Sequence, residues 1–210
     1  MEYTLYLISY RPHLATEIEK SISPETFVYF DGTGYPSFSK LVNSVVAECP
    51  TEIVIIMSDK VRPTQNHVHE LIAKLNQGYG FVGTYSYAFF GFRKDLMRRI
   101  GMFDERYVGG GYEDYDFCFR LREANIAMYL SYEVPYLKSQ SSWDYSKSEP
   151  HHISKWGDVV KDRVIHRQMP EEKYEYDLGI GTTQNYLPWR QTYVRTSKKA
   201  SWPYWAPFKG

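Results

Sequence analysis

Three consecutive glycines, Gly109, Gly110 and Gly111, run into Tyr112-Glu113-Asp114-Tyr115-Asp116. Three carboxylates clustered at a predicted helix start are the residues of this chain best suited to acid–base chemistry. The helix is expected to begin near Tyr112 and carries Phe117, Cys118, Leu121 and Ala124 as its apolar stripe. Asp114 precedes the first three of these by three, four and seven residues, so it shares their face. A carboxylate at that inner rim is partly desolvated, which raises its pKa and suits it to accept a proton. Asp116 faces elsewhere and stands four residues from Arg120, so a surface ion pair is expected there. Acidic residues in a first helical turn also stabilise the helix dipole by ~0.3–1 kcal/mol each, without any chemistry. The preceding glycines favour the chemical reading, because they allow close backbone approach by a substrate, or a moving lid.

These residues need a scaffold, and the N-terminal half supplies one. Strand patterns at 3–9, 26–30 and 52–57 alternate with helical patterns. The first helix is expected over His13 to Ile22, the second around Phe38, Leu41, Val42 and Val45. Pro63 opens a third, with Val68, Leu71, Ile72 and Leu75 on one face. Two further strands (80–85 and 87–92) and a short helix from Arg93 to Ile100 follow. The pattern predicts an α/β domain with a mainly parallel central sheet and helices on both faces. Ligands bind such sheets beyond the carboxyl ends of the strands. The segments to inspect are therefore 9–12 (Ser-Tyr-Arg-Pro), 31–34 (Asp-Gly-Thr-Gly) and 58–63 (Ser-Asp-Lys-Val-Arg-Pro).

Composition narrows the class. The 210 residues carry 25 basic and 25 acidic side chains, a balance that argues against a nucleic-acid binder. Two cysteines, Cys49 and Cys118, fit buried thiols rather than a disulfide scaffold. No apolar run approaches the ~18 residues of a membrane span, and no signal pattern opens the chain. A cytoplasmic location is the expectation. Beyond about residue 138 the chain turns polar, and residues 187–210 lack any acidic residue. There Arg190, Arg195 and Lys198 alternate with aromatics. This tail is expected to pack on the core, with a membrane surface or a following domain of a larger chain as alternatives.

Residues 92–126 (FRKDLMRRIGMFDERYVGGGYEDYDFCFRLREANI) resemble the acceptor half of inverting GT-A glycosyltransferases, in particular family 2. The order is that family's: an Arg-rich helix, Gly-x-Phe-Asp-Glu, a glycine loop, Glu-Asp-x-Asp, then a helix. A narrower likeness is to glycosyltransferase domains of chlorovirus proteins. The resemblance implies a GT-A, Rossmann-like fold over residues 1–138, with a nucleotide-sugar half (1–84), an acceptor half (85–138) and an irregular extension (139–210). It implies transfer of a sugar with inversion, from a nucleotide sugar, UDP-linked by preference, to a hydroxyl of a glycan or glycoprotein. Asp114 would be the base and Glu113 would orient the acceptor or the loop formed by Gly109, Gly110, Gly111 and Tyr112. Ser9, Tyr10, Arg11, Asp31, Ser58, Asp59 and Lys60 would bind the donor.

One departure from that family concerns metal. Where it commonly has Asp-x-Asp for Mn2+ or Mg2+, this chain has Ser58-Asp59-Lys60. Asp59, with phosphates and waters, is the expected ligand, and His151, His152 and His166 are candidates for a further one. Two other functions fit less of the sequence. A sugar-phosphate nucleotidyltransferase would want a glycine-rich phosphate loop, which 9–17 lacks. A non-catalytic carbohydrate-binding module would account for the reduced metal motif.

Overall fold

The computed structural model describes residues 2–11, 22, 27–84, 87–108, 111–131, 134, 145–156 and 176–177. Seven strands form one sheet: β1 (Tyr3–Ser9), β2 (Phe27–Asp31), β3 (Ile53–Ser58), β4 (Phe81–Thr84), β5 (Phe89–Arg93), β6 (Met128–Ser131) and β7 (Tyr176–Asp177). Their spatial order is β2-β1-β3-β5-β4-β6-β7. The helices are α1 (Phe38–Glu48), α2 (Gln65–Asn76), α3 (Asp95–Ile100), α4 (Glu113–Glu123) and α5 (Glu149–Trp156), the last preceded by a 3-10 turn (Tyr145–Lys147). The helix expected over 13–22 lies outside the described residues except for Ile22, which is buried.

Strand alternation divides the core into two layers. Leu5 and Leu7 of β1, with Ile53, Ile55 and Met57 of β3, face Val68, Leu71 and Leu75 of α2. Tyr6, Ile8, Val54 and Ile56 face the other way. They meet Leu41, Val42, Val45 and Val46 of α1, Met97 and Ile100 of α3, and Phe117 and Leu121 of α4. Both faces are thus covered by helices, so a continuous apolar run such as Ile53–Met57 is buried throughout. On the α4 side Phe103 and Phe117 stack at 4.2 Å between centroids, beneath Phe81, Phe90 and Tyr87. This aromatic block seats the catalytic-candidate helix on the sheet.

The sheet is mixed rather than mainly parallel. β1 runs parallel to β2 and β3, and β4 parallel to β6. β5 pairs antiparallel with both β3 and β4, and β7 antiparallel with β6. The reason is the short connection between β4 and β5, residues 85–88. A parallel crossover needs a dozen or more residues, whereas an antiparallel return needs only a few. Gly83 lets the two strands close up, since a Cβ there would lie 2.4 Å from Phe90 Cβ.

Candidate active site

The carboxyl ends of β1 and β3 and the first turn of α4 meet around a cavity of about 100 Å3. Ile8 and Tyr10 come from the end of β1, and Ser58, Asp59 and Lys60 from the end of β3. Glu113 and Asp114 come from α4, and Phe38, Tyr87 and Ala88 close the wall. A larger cavity of about 210 Å3 lies on the α2 face, lined by Leu71, Val82 and Phe89 among others, away from both carboxylates.

A left-handed reversal aims the start of α4. Gly111 (φ 89°) and Tyr112 (φ 72°) are consecutive residues of positive φ. Glycine adopts that conformation freely, while for tyrosine it costs about 1–3 kcal/mol and persists only where the surroundings hold it. Tyr112 is held firmly. Its ring is buried and stacks on His152 at 5.0 Å between centroids, and its hydroxyl donates to Glu149 Oε1 at 3.1 Å. Of the expected acceptor loop, Tyr112 is therefore an anchor, and Gly109 and Gly110 lie outside the described residues.

The two carboxylates are half-buried at the cavity. Glu113 Oε2 is buried and accepts no hydrogen bond among the described residues. Burial, then the charge of Asp114, pushes the Glu113 carboxyl well above the usual range. Burial also raises Asp114, against the Tyr115 N–H that donates to its Oδ1 at 2.9 Å. Tyr10 faces the same space, and burial followed by the charge of Glu113 pushes its phenol up to about 12. The pair can accept protons near neutrality, and the phenol stays a neutral donor.

On the strand side, Asp59 is buried and engaged. It accepts from Ser9 Oγ at 2.7 Å, from Arg11 Nε at 3.1 Å and from Arg11 Nη2 at 2.6 Å. Lys60 is half-buried, and burial lowers its pKa against the pull of Asp59. Asp31 stands apart from the cavity wall. It is exposed, its Oδ1 accepts the Thr33 N–H at 2.8 Å, and that bond lowers its pKa.

No family model matches the chain, and no curated protein matches it. Two solved structures of a Drosophila β1,4-galactosyltransferase 7 are similar to it. One is a mutant in complex with manganese, UDP-Gal and xylobiose, at 11% identity over 70% of this chain and 69% of that one, with a TM-score of 0.45. The other is the catalytic domain with xylobiose, at 13% identity over 61% and 64% of the two chains, also with a TM-score of 0.45. Neither comes from a chlorovirus.

The metal ligands expected from the sequence are not brought together. His151 Nε2 lies 3.1 Å from Asp104 Oδ2, and His152 Nδ1 lies 2.9 Å from the Tyr107 hydroxyl, so neither lines the cavity. His166 lies outside the described residues. Among the described residues no three His, Cys, Asp or Glu side chains are grouped to hold a cation. Asp59, the remaining candidate, has both oxygens bonded to Arg11. The described residues as arranged do not fit a divalent ion.

Asp116 corrects a second expectation. It is fully buried, not on the surface, and so is its partner Arg120. The helix rotates Asp116 inward because a second cation waits there: Lys155 Nζ reaches Asp116 Oδ1 at 2.5 Å and Asp104 Oδ2 at 2.8 Å. Arg120 also donates to the carbonyls of Ile100 and Gly101. Burial alone would raise Asp104, but His151, Arg106 and Lys155 hold it well below the ordinary carboxylate range. This network ties α5 and the 101–108 segment to the underside of α4. Sequence reasoning missed Asp104 and Lys155 as partners because 51 residues separate them. Only the Asp116–Arg120 spacing carried a signal.

His152 sits in the same layer, buried, and desolvation pushes its imidazole down to about 3. Unfolded, the ring takes a proton near ~6.5. Between those values the unfolded chain binds more protons, so this contribution is full above about pH 6.5 and is lost as pH falls toward 3. The raised Glu113 and Asp114 give slopes of the opposite sign, which makes the difference between variants the informative quantity. His152→Phe keeps the stacking ring and removes the titration. Its stability deficit relative to wild type is expected to shrink between about pH 7 and pH 5 in denaturant titrations. A deficit independent of pH would contradict a neutral, desolvated His152.

Proposed function

We propose that the chain is a GT-A glycosyltransferase that moves a sugar from a nucleoside-diphosphate donor to an acceptor hydroxyl, with inversion. The observation that carries this reading is the position of Asp114. It is a desolvated carboxylate on a helix start, in the same cavity as the carboxyl ends of β1 and β3. A sugar hydroxyl is a poor nucleophile until its proton is removed in the transition state. Asp114 takes that proton as the acceptor oxygen forms its bond to the anomeric carbon. The bond from that carbon to the diphosphate oxygen breaks on the opposite side, and the electron pair leaves with the diphosphate. Glu113 orients the acceptor or its loop through its unbonded buried oxygen, and Tyr10 lines the donor pocket.

Ser58, Asp59 and Lys60, which line the same cavity, are the proposed contacts to the donor, with UDP as the preferred nucleotide. Asp31 at the end of the neighbouring strand is the proposed contact to the nucleoside. The acceptor is a glycan or a glycoconjugate. No helix among the described residues is long and apolar enough to cross a membrane.

A panel of UDP-, GDP- and dTDP-sugars tests the assignment. A ligand present at 100 times its dissociation constant stabilises the fold by about 2.7 kcal/mol, visible as a thermal shift. At least one member is expected to produce that shift and to be consumed with release of the nucleoside diphosphate. If no nucleotide sugar shifts the melting temperature or is turned over, the reading fails.

A further inference from the structure

We infer that Glu113 meets the acceptor as a hydrogen-bond donor, with a proton on its buried Oε2, while Asp114 is the member of the pair that takes a proton up. This deepens the glycosyltransferase reading and rests on it. The two carboxyl groups are consecutive in the first turn of α4 and line one cavity. Neighbouring carboxylates do not both ionise readily, so the pair retains a proton. Hydrogen bonds decide where it sits. Asp114 Oδ1 accepts the Tyr115 N–H at 2.9 Å, a bond that favours its charged form. Glu113 has N–H support from its own backbone and from Gly111, yet its Oε2 is buried and meets no donor among the described residues. A charged oxygen removed from both water and donors is costly, whereas a protonated one needs only an acceptor, and a ligand oxygen in the cavity supplies it.

The surroundings act in the same direction. Burial, then the charge of Asp114, raises Glu113 by more than the backbone N–H groups and Lys60 lower it. Tyr10 from the end of β1, Asp59 and Lys60 from the end of β3, and Tyr87 from the β4–β5 connection share the cavity wall. Asp59 is paired with Arg11, and burial keeps both phenols protonated. Tyr107, which also senses the charge of Glu113, has its hydroxyl on His152. From α5, Glu149 accepts from Tyr112, and Lys155 is held by Asp104 and Asp116. Lys60 draws Glu113 toward ionisation, and burial opposes this at both ends, because it lowers the Lys60 pKa as well. The acceptor atom facing Glu113 must therefore offer a lone pair, which a hydroxyl, ether or carbonyl oxygen does and an ammonium does not.

Two measurements on the full chain test this. In the first, the glutamate side-chain carboxyls carry carbon-13, and NMR follows them against pH with no ligand present. One resonance is expected to remain at the protonated position at about pH 7, where glutamates with the ordinary pKa of ~4.3 are ionised, and to be missing from Glu113→Gln. In the second, transfer is measured with UDP-, GDP- and dTDP-sugars as donors and methyl glycosides as acceptors. Glu113→Met, similar in length but without a donor, is expected to raise the acceptor KM about tenfold or more. Glu113→Gln, whose amide donates, restores most of that loss and leaves the acid limb of the pH profile where wild type has it. A Glu113 resonance already ionised at about pH 7 overturns the inference while leaving Asp114 as the base. A Gln variant as poor as Met overturns it too. So does an acid limb that moves down in Glu113→Gln, since loss of a neighbouring negative charge eases ionisation of Asp114. If wild type turns over no nucleotide sugar, the glycosyltransferase reading and this role for Glu113 fall together, whatever the NMR shows.

Discussion

Asp114→Asn is expected to lower sugar transfer by at least ~100-fold while leaving nucleotide-diphosphate binding unchanged. The amide keeps the shape of the side chain and its acceptor for the Tyr115 N–H, but it cannot take a proton. The donor wall at Ser58, Asp59 and Lys60 belongs to β3 and the turn after it, so nothing in the substitution disturbs it. Stability separates this outcome from simple damage. The folded pKa of Asp114 is raised, so its contribution to stability is full below the ordinary carboxylate value and declines as pH rises through the folded value. At neutral pH the ionised side chain is therefore a liability to the fold. The Asn variant is expected to melt no lower than wild type, as found where function is built on a destabilising group. The same shift sets the wild-type pH profile. A base works only when deprotonated, so the acid limb of the rate is expected above the range of an ordinary aspartate. Initial rates across pH for both proteins check this, and full activity in Asp114→Asn would sink the assignment.

The largest effect on stability is expected at Lys155. Its side chain is 1% exposed and its ammonium is shared between Asp104 and Asp116, both fully buried. Lys155→Met fills the space but leaves two desolvated carboxylates one cation short. Removing one partner of a buried ion pair costs about 3–5 kcal/mol, because the charge left behind cannot return to water. For a chain of this size that lowers Tm by roughly 6–20 °C. Adding Asp104→Asn to Lys155→Met is expected to recover part of the loss, as deleting both members of a pair is far milder than deleting one. A loss below about 1 kcal/mol for Lys155→Met would mean that Arg120, Arg106 and His151 satisfy the carboxylates alone.

The parts of this fold that follow local periodicity were legible in the sequence. β1, β3, α1 and α2 fall where the apolar patterns put them, because each is a short segment whose burial follows from its own spacing. What the sequence hid is pairing over distance. Asp59 is matched to Arg11 across 48 residues, which changes it from a cation ligand into half of an ion pair. Asp116 looked like a solvent-facing partner of Arg120, since i,i+4 spacing carries no information about what lies outside the helix. Lys155 and the carbonyls of Ile100 and Gly101 lie on that side and make it inward. The antiparallel entry of β5 followed from connection length rather than strand pattern, and only the length of 85–88 could have signalled it.

The ion network under α4 also has a consequence for how the chain is made. Asp104 and Asp116 are complete long before the ribosome reaches Lys155, which lies 51 residues beyond Asp104. During that interval the carboxylates lack one of their cations, and the ring of Tyr112 lacks His152 to rest on. Residues 149–156 thus complete the support beneath the helix bearing Glu113 and Asp114 late in synthesis. A nascent chain halted before that point carries every cavity-lining residue but lacks the Lys155 contacts to Asp104 and Asp116.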